Sequence, residues 1–269
     1  MKFCRFQPLE FRAAITPAGE TFSPNPRIGR IDGELVDELS GSIPGETRPT
    51  GRNWKLAEVA LLPPVVPSKI VCVGRNYPEH VAELHKDIPT EPLIFLKPPS
   101  SILSPGEPIV LPGVSKRVDY EGELCVVMGR RCAQLADAAD VAPYVFGYTC
   151  LNDVTARDLQ AADPQWTRAK GFDTFCPFGP VLETELDLKN ATVETYVNGR
   201  KKQSAPVSLM IFSVDAIIRW ISRIMTLEPG DILATGTPAG VGPLAPGDVV
   251  EVVVSGIGTL RNPVRGPVA

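Results

Sequence analysis

Asp119-Tyr120-Glu121-Gly122-Glu123-Leu124-Cys125-Val126-Val127 holds a short apolar run, Leu124 to Val127, preceded by two acids with a glycine between them. The apolar run reads as a β-strand. Side chains two apart on a strand share a face, so Glu121 and Glu123 are expected to project together. Two adjacent carboxylates repel each other unless a cation, a proton or an Arg/Lys side chain lies between them. At this level two readings stand. The acids can face water at a solvated strand end, as most acids do, or they can hold a cation.

The outer bounds come from composition. A chain of 269 residues has room for one large domain, or for a main domain with a small appended one. With 43% hydrophobic and 22% charged residues it has the make-up of an ordinary soluble globular protein. A formal charge of −4 leaves no basic surface of the kind nucleic acid or an anionic membrane needs. A small anion must therefore be met by a local cation. The 28 prolines and 23 glycines predict many turns and short strands.

Cysteines 4, 72, 125, 132, 150 and 176 form no Cys-x-x-Cys pair and no zinc-type spacing with His80 and His85. Several lie within apolar runs, where reduced cysteine acts as a small hydrophobe, and that fits a reducing compartment. Met1-Lys2-Phe3-Cys4-Arg5-Phe6 has no apolar signal core, and no charge-free run is long enough to cross a bilayer. The expected location is cytoplasmic, without membrane contact.

Residues 1–62 read as a small β-rich unit. Phe11 to Ile15 is an expected strand, and Arg27 to Ile31 alternates before Asp32-Gly33, a favoured hairpin dipeptide. Pro63-Pro64-Val65-Val66-Pro67 predicts a stiff extended connector and a domain boundary, with residues 63–269 as the main domain. Ile70 to Gly74 and Leu93 to Leu96 read as buried strands. Between them Asn76 is the expected helix start, with Pro78 in the first turn. On that helix His80 and Glu83, three apart, are neighbours. The pair is either an incidental surface contact or an oriented imidazole suited to general base work.

Further strands are predicted at Ile109 to Leu111 and at Tyr144 to Leu151, where Asp153 becomes a third carboxylate at a strand end. Ala133 to Ala142 reads as a short helix or turn, and Val154 to Ala162 as a helix carrying Arg157 and Gln160. Trp166 to Asp173, with Lys170 inside it, has neither period and reads as a loop, a common carrier of function. Val193 to Arg200 gives a strand and a hairpin signal at Asn198-Gly199. After Ser213, a fitting N-cap, apolar residues from Val214 to Met225 recur at helical spacing. Ile232 to Thr235 and Val249 to Val254 are the last clear strands. Between them Gly236 to Gly242 is a glycine-rich loop that lets backbone approach a ligand.

Gly74-Arg75-Asn76-Tyr77 with His80 and Glu83, Phe95-Leu96-Lys97-Pro98, Tyr120-Glu121-Gly122-Glu123-Leu124 and Asn152 to Gln160 together resemble the fumarylacetoacetate hydrolase family. Lys170-Gly171-Phe172-Asp173 and Gly230 to Gly242 continue the resemblance, in family order, over about residues 70–264. It implies an α+β, β-rich fold: a mixed β-roll catalytic domain, a small β-rich N-terminal domain and a homodimer. It also implies a magnesium ion, with manganese or calcium in its place, on Glu121, Glu123 and Asp153.

Three carboxylates and one dication sum to one negative charge, so an anionic substrate needs further cations. By family analogy Lys170 contacts substrate oxygens, while Gln160 and Thr237 add hydrogen bonds. Arg157 either binds substrate or steadies the acids. The expected substrate is a 2-oxo acid. The expected reaction is hydrolysis of a C–C bond in an acylpyruvate, with His80, oriented by Glu83, activating water. The same enolate chemistry serves isomerisation, tautomerisation or decarboxylation, as in 2-hydroxyhepta-2,4-diene-1,7-dioate isomerases or with oxaloacetate. A non-catalytic oxo-acid-binding protein on the same scaffold is the rival from another class.

Overall fold

Gly122–Met128 has antiparallel partners on both sides, Val145–Asn152 and Ile232–Ala234, and all seven of its residues are buried. A run of Leu, Cys, Val and Met with no charge after Glu123 is what a strand covered on both faces requires. In the computed structural model, which describes residues 1–11 and 26–267, this strand lies within one long mixed sheet. The hydrogen-bonded order is Thr47–Lys55, Leu35–Gly41, Arg27–Asp32, Lys2–Pro8, Cys176–Glu183, Val145–Asn152, Gly122–Met128, Ile232–Ala234, Ile70–Gly74 and Leu93–Lys97. Ile232–Ala234 and Ile70–Gly74 run parallel. The first strands thus continue the main sheet, through the pairs Lys2↔Glu183 and Phe3↔Leu182.

A second sheet, Arg200–Pro206, Thr192–Val197, Val249–Val254, Gly258–Arg265 and Ile109–Val110, packs against the central strands of the first. Thr192–Val197 and Val249–Val254 alternate half-buried with buried residues, the period-2 mark of strands with one core face. The two sheets approach closely at Gly122, where an added Cβ would collide with the Thr195 hydroxyl. Glycine between the two acids is therefore what lets the sheets close at that point. Val193, Val252 and Val254 meet Leu124 and Val126 in the core beneath. The result is a β-rich α+β fold in which the strands of residues 2–62 extend the main mixed sheet.

Helix α1 (Pro78–Glu83) follows Ile70–Gly74, α2 (Arg157–Ala162) and α3 (Thr167–Lys170) follow Val145–Asn152, and α4 (Val214–Ile224) precedes Ile232–Ala234. In α4 the expected cap is present: the Ser213 hydroxyl accepts from the Ala216 N–H at 3.3 Å, and Ile217, Ile218 and Ile221 are fully buried. The hairpins at Gly33 and Asn198-Gly199 also form where their dipeptides predict, with positive φ at all three residues.

Several elements differ from the sequence expectation. Trp166 to Asp173 is not a plain loop; it contains α3, one turn docked by the burial of Ala169 and Lys170. Leu93–Lys97 is an edge strand with Leu96 48% exposed, because an apolar run carries no information about which strand is last in a sheet. Helix α1 begins at Pro78 with Tyr77 as its flanking residue, since the Asn76 side chain is engaged elsewhere. The expected helix from Val154 starts only at Arg157, as Thr155–Ala156 pairs with Val118–Tyr120. Ala133 to Ala142 forms turns ahead of the short 3-10 helix Ala142–Tyr144. Phe11 ends a 3-10 turn, and the rest of the strand expected at Phe11 to Ile15 lies outside the described residues.

All six cysteines are free and buried. Among the described residues no helix is long and apolar enough to cross a membrane.

Candidate active site

Glu121 sits in the one-residue gap between Val118–Tyr120 and Gly122–Met128, and Asp153 directly follows Val145–Asn152. The register Gly122↔Asn152 brings these two strand ends side by side. The Asp153 N–H donates to the Glu121 carbonyl at 2.8 Å, and the Glu121 N–H donates to Asn152 Oδ1 at 2.9 Å. Sheet hydrogen bonding therefore fixes the spacing of the acids. Ligand oxygens of Glu121, Glu123 and Asp153 lie within 4.8 Å of one another, and all three residues are buried. The solvated strand end is excluded.

Cations surround two of the three acids. Lys170 Nζ donates to Glu121 Oε2 at 2.7 Å and to Asp153 Oδ2 at 2.5 Å. Lys97 Nζ, fully buried, donates to Asp153 Oδ1 at 2.6 Å. Arg157 donates to Glu121 Oε1 at 2.6 Å, to Asp119 at 3.0 Å and to Gln160 Oε1 at 2.7 Å. Asp119 is closed from its other side by Arg117. Glu123 has no such partner among the described residues; the Gly236 N–H donates to it at 2.7 Å.

The acids respond oppositely. Burial alone would raise the Glu121 carboxyl, but Lys170 and Arg157 hold it well below the usual range. Burial pushes the Glu123 carboxyl well up, and the charges of Asp153 and Glu121 push it further. A buried carboxylate in that position is stable only with a proton or a cation beside it. The all-oxygen donor set fits a hard divalent ion such as magnesium, manganese or calcium, rather than zinc with its nitrogen and sulfur ligands. Lys97 and Arg117 revise the charge count made from the motifs alone. Four buried acids, Asp119 among them, face four cationic side chains, so a bound dication leaves an excess of positive charge for an anion.

Above the triad is a cavity of about 510 Å³. Every residue expected at the site lines it except Glu83, which stands behind His80. His80 is buried, with Nδ1 3.0 Å from Glu83 Oε2. Glu83 Oε1 accepts from the Gly240 N–H at 3.1 Å, tying α1 to the glycine loop. Thr237 Oγ1 donates to the Gly122 carbonyl at 2.9 Å and accepts from Gln203 Nε2 at 2.8 Å.

Four contributors were not assigned from the sequence: Lys97, Asp119, Gln203 and Arg75. Lys97, a lone charge closing an apolar strand, and Asp119, next to the acid pair, carried a local signal. Gln203 lies in the polar run of Arg200–Pro206 and carried none, yet its Oε1 accepts from the Gly122 N–H at 3.0 Å.

A buried oxygen-donor triad with cationic support and a His–Glu pair on one cavity has the make-up of a divalent-cation site in an enzyme of the β-roll class. The chain belongs to the fumarylacetoacetate hydrolase family: residues 69–265 match the family described as fumarylacetoacetate (FAA) hydrolase C-terminal, and residues 1–64 match one described as Rv2993c-like, N-terminal. It is 50% identical to Protein Rv2993c of Mycobacterium tuberculosis over 244 residues, covering 87% of this chain and 92% of that protein. It is 42% identical to Oxaloacetate tautomerase YisK of Bacillus subtilis, covering 78% of this chain and 74% of that protein. The solved structure of a 2-hydroxyhepta-2,4-diene-1,7-dioate isomerase from Mycobacterium marinum superposes with a TM-score of 0.85 at 44% identity, over 99% of this chain and 98% of that one.

Proposed function

We propose that the protein is a divalent-cation-dependent tautomerase or isomerase of 2-oxo acids, with keto–enol exchange of an oxaloacetate-type substrate as its reaction. The observation that carries this reading is the convergence of the buried triad, its cations and His80 on one cavity. The activities named for the two relatives at 42% and 44% identity are tautomerisation and isomerisation, and they favour this reading over the C–C hydrolysis expected from the motifs.

A dication held by Glu121, Glu123 and Asp153 supplies Lewis-acid stabilisation of negative charge on the 2-oxo and carboxylate oxygens. Lys170 and Arg157 keep Glu121 ionised, Lys170 also pairs with Asp153, and both add positive charge on the same side of the cavity. His80 donates Nδ1–H to Glu83, which leaves Nε2 as the base. It removes a proton from C3 of the substrate. Return of that proton to the 2-oxo oxygen completes a tautomerisation, and return to a different carbon completes an isomerisation. Neither consumes water or breaks a C–C bond. Gln160, whose Oε1 accepts from Arg157, has its amide N–H groups free among the described residues for the bound carboxylate, while Thr237, whose hydroxyl proton goes to the Gly122 carbonyl, lines the cavity beside it.

The test compares two substrates with magnesium or manganese present: keto–enol interconversion of oxaloacetate, followed by enol absorbance, and cleavage of an acylpyruvate. Accelerated interconversion without cleavage is expected. Cleavage of the acylpyruvate with oxaloacetate exchange at the spontaneous rate would reverse the reading in favour of hydrolysis.

A further inference from the structure

Arg75 leaves the strand Ile70–Gly74 with a φ of 57°, in the left-handed region that residues with a side chain seldom adopt. Such a conformation persists only where the surroundings over-determine it. Here the next residue does so. The buried Asn76 amide donates to the Phe212 carbonyl at 3.0 Å and to the Thr235 carbonyl at 2.8 Å, and its oxygen accepts from the Phe212 N–H at 2.8 Å. The Asn76 carbonyl also accepts from the Ile211 N–H at 2.8 Å. Gly236 gives this clamp its room, because a Cβ there would strike Asn76.

The clamp places the Arg75 side chain on the wall of the cavity, and its Nε is buried with no hydrogen-bond partner among the described residues. The other cations on that wall are differently committed. Lys170 and Arg157 are taken up by Glu121, Asp153 and Asp119. Lys86 is exposed, so its attraction for an anion is screened. Arg75 and Lys86 are the lining cations that form no ion pair among the described residues, and of the two Arg75 is half-buried, with its Nε fully covered, whereas Lys86 is exposed. A guanidinium presents a planar fork that matches a carboxylate through two N–H donors. Phe95 and Trp166, also on the wall, lower the local dielectric and strengthen such a contact.

We infer that Arg75 binds the second carboxylate of a 2-oxo dicarboxylate, and so sets a preference for dicarboxylates over 2-oxo monocarboxylates. The inference rests on the 2-oxo acid reading of the cavity. It divides the substrate: the 2-oxo acid end lies at the triad, and the far carboxylate is read by a residue that belongs to neither the triad nor the His80–Glu83 pair.

Oxaloacetate and 2-oxobutyrate share the 2-oxo acid end and differ by a carboxylate in place of a methyl group, which makes them the test pair. Their affinities for the magnesium-loaded protein are measured by calorimetric titration, for the wild type and for Arg75→Met, Arg75→Gly and Arg75→Lys. Arg75→Gly is included because glycine adopts the same φ without strain, so the turn survives. Arg75→Met and Arg75→Gly are expected to weaken oxaloacetate about tenfold to a hundredfold, as loss of a charge-assisted contact does, and to leave 2-oxobutyrate nearly unaffected. Arg75→Lys is expected to recover part of the loss.

Equal weakening of both ligands in Arg75→Gly, or no weakening of oxaloacetate, overturns the subsite. A wild type that binds both ligands equally overturns it as well. A wild type that binds oxaloacetate through Arg75 but does not turn it over breaks the proposed reaction and leaves the subsite standing. A wild type that binds neither ligand breaks the 2-oxo acid reading itself, and the subsite falls with it.

Discussion

The floor and the rim of the cavity are built on opposite principles. On the floor, Glu121, Glu123 and Asp153 stand on or beside central strands, and sheet register sets their separation. Lys97 and Lys170 meet the floor from buried positions, so no side chain there can swing away without leaving an unpaired charge. On the rim, His80 rides on a helix of six residues, Pro78–Glu83. A helix that short has no stability of its own. It is held by burial of His80 and Val81 and by the contact of Glu83 with Gly240. A cation cage needs constant distances, whereas a base must meet a substrate that enters and leaves. The sheet supplies the first, and a lightly tethered helix supplies the second.

The largest effect is expected on the floor. Glu123→Gln is expected to abolish magnesium binding by calorimetry and to bring turnover to background. It should also change how the metal-free protein responds to pH. Burial, then Asp153 and Glu121, raise the Glu123 carboxyl above its ordinary value of 4.5. The folded protein then holds this proton more tightly than the unfolded chain does. Stability present below the unfolded value is lost as pH rises toward the folded one. Glu121, depressed by its cations, acts in the opposite sense and contributes less as pH falls below 4.5. As pH rises above 4.5 the metal-free wild type should therefore lose stability that magnesium restores, and Glu123→Gln should lose less. Thermal melts of the two metal-free proteins across that range decide it. Identical slopes would remove Glu123 as the strained acid.

On the rim, His80→Ala is expected to slow turnover by about 10²–10⁴-fold, the usual worth of a positioned base, while magnesium binds as in the wild type. Loss of magnesium affinity in this variant would erase the division between floor and rim.

That division also governs what was legible in the sequence. The floor acids were readable because strand period and strand termini are local properties: Glu121 and Glu123 are two apart, and Asp153 closes an apolar run. His80 and Glu83 were readable for the same reason, at helical spacing. What pairs with those residues was not. Lys97 reaches Asp153 across 56 positions, and Gln203 reaches the Gly122 N–H across 81. Lys170 lies in a four-residue helix too short to leave a period, so its turn read as a loop. Arg75 gave no sign of its left-handed backbone, since the clamp that imposes it runs from Asn76 to Thr235 and Phe212. Residue types that do chemistry show in one sequence; their compensating charges depend on long-range packing.

Lys170→Met comes next, with a smaller effect on turnover than Glu123→Gln or His80→Ala. Removing one partner of a buried ion pair costs about 3–5 kcal/mol, because the acids left behind stay buried. Glu121 and Asp153 are those acids. The metal-free variant is expected to melt well below the wild type and to recover with magnesium, whose binding the added repulsion favours. Turnover should fall about tenfold to a hundredfold as positive charge facing the substrate is lost, and oxalate inhibition should weaken in parallel. Wild-type activity and oxalate affinity would place Lys170 outside the chemistry.

The smallest effect is expected from Glu83→Gln, and it isolates what the rim acid does. Each carboxylate oxygen of Glu83 has its own task, Oε2 toward His80 Nδ1 and Oε1 toward the Gly240 N–H. An amide has one oxygen for both. If that oxygen faces His80, the imidazole keeps its proton on Nδ1 and Nε2 stays free as the base, while the Gly240 N–H loses its acceptor. The Glu83 side chain is 34% exposed, so water can take over at Gly240 and the loss there is small. If the amide nitrogen faces His80 instead, Nδ1 must accept, the proton moves to Nε2, and the base is blocked. Hydration at Gly240 favours the first arrangement. Glu83→Gln should therefore retain turnover to within about tenfold, whereas Glu83→Ala, which lets the imidazole turn, should approach His80→Ala. Steady-state rates for the three variants, with magnesium affinity as the control, read this directly. A Glu83→Gln enzyme as slow as His80→Ala would mean that the tautomer is set by the charge of Glu83 rather than by its hydrogen bond.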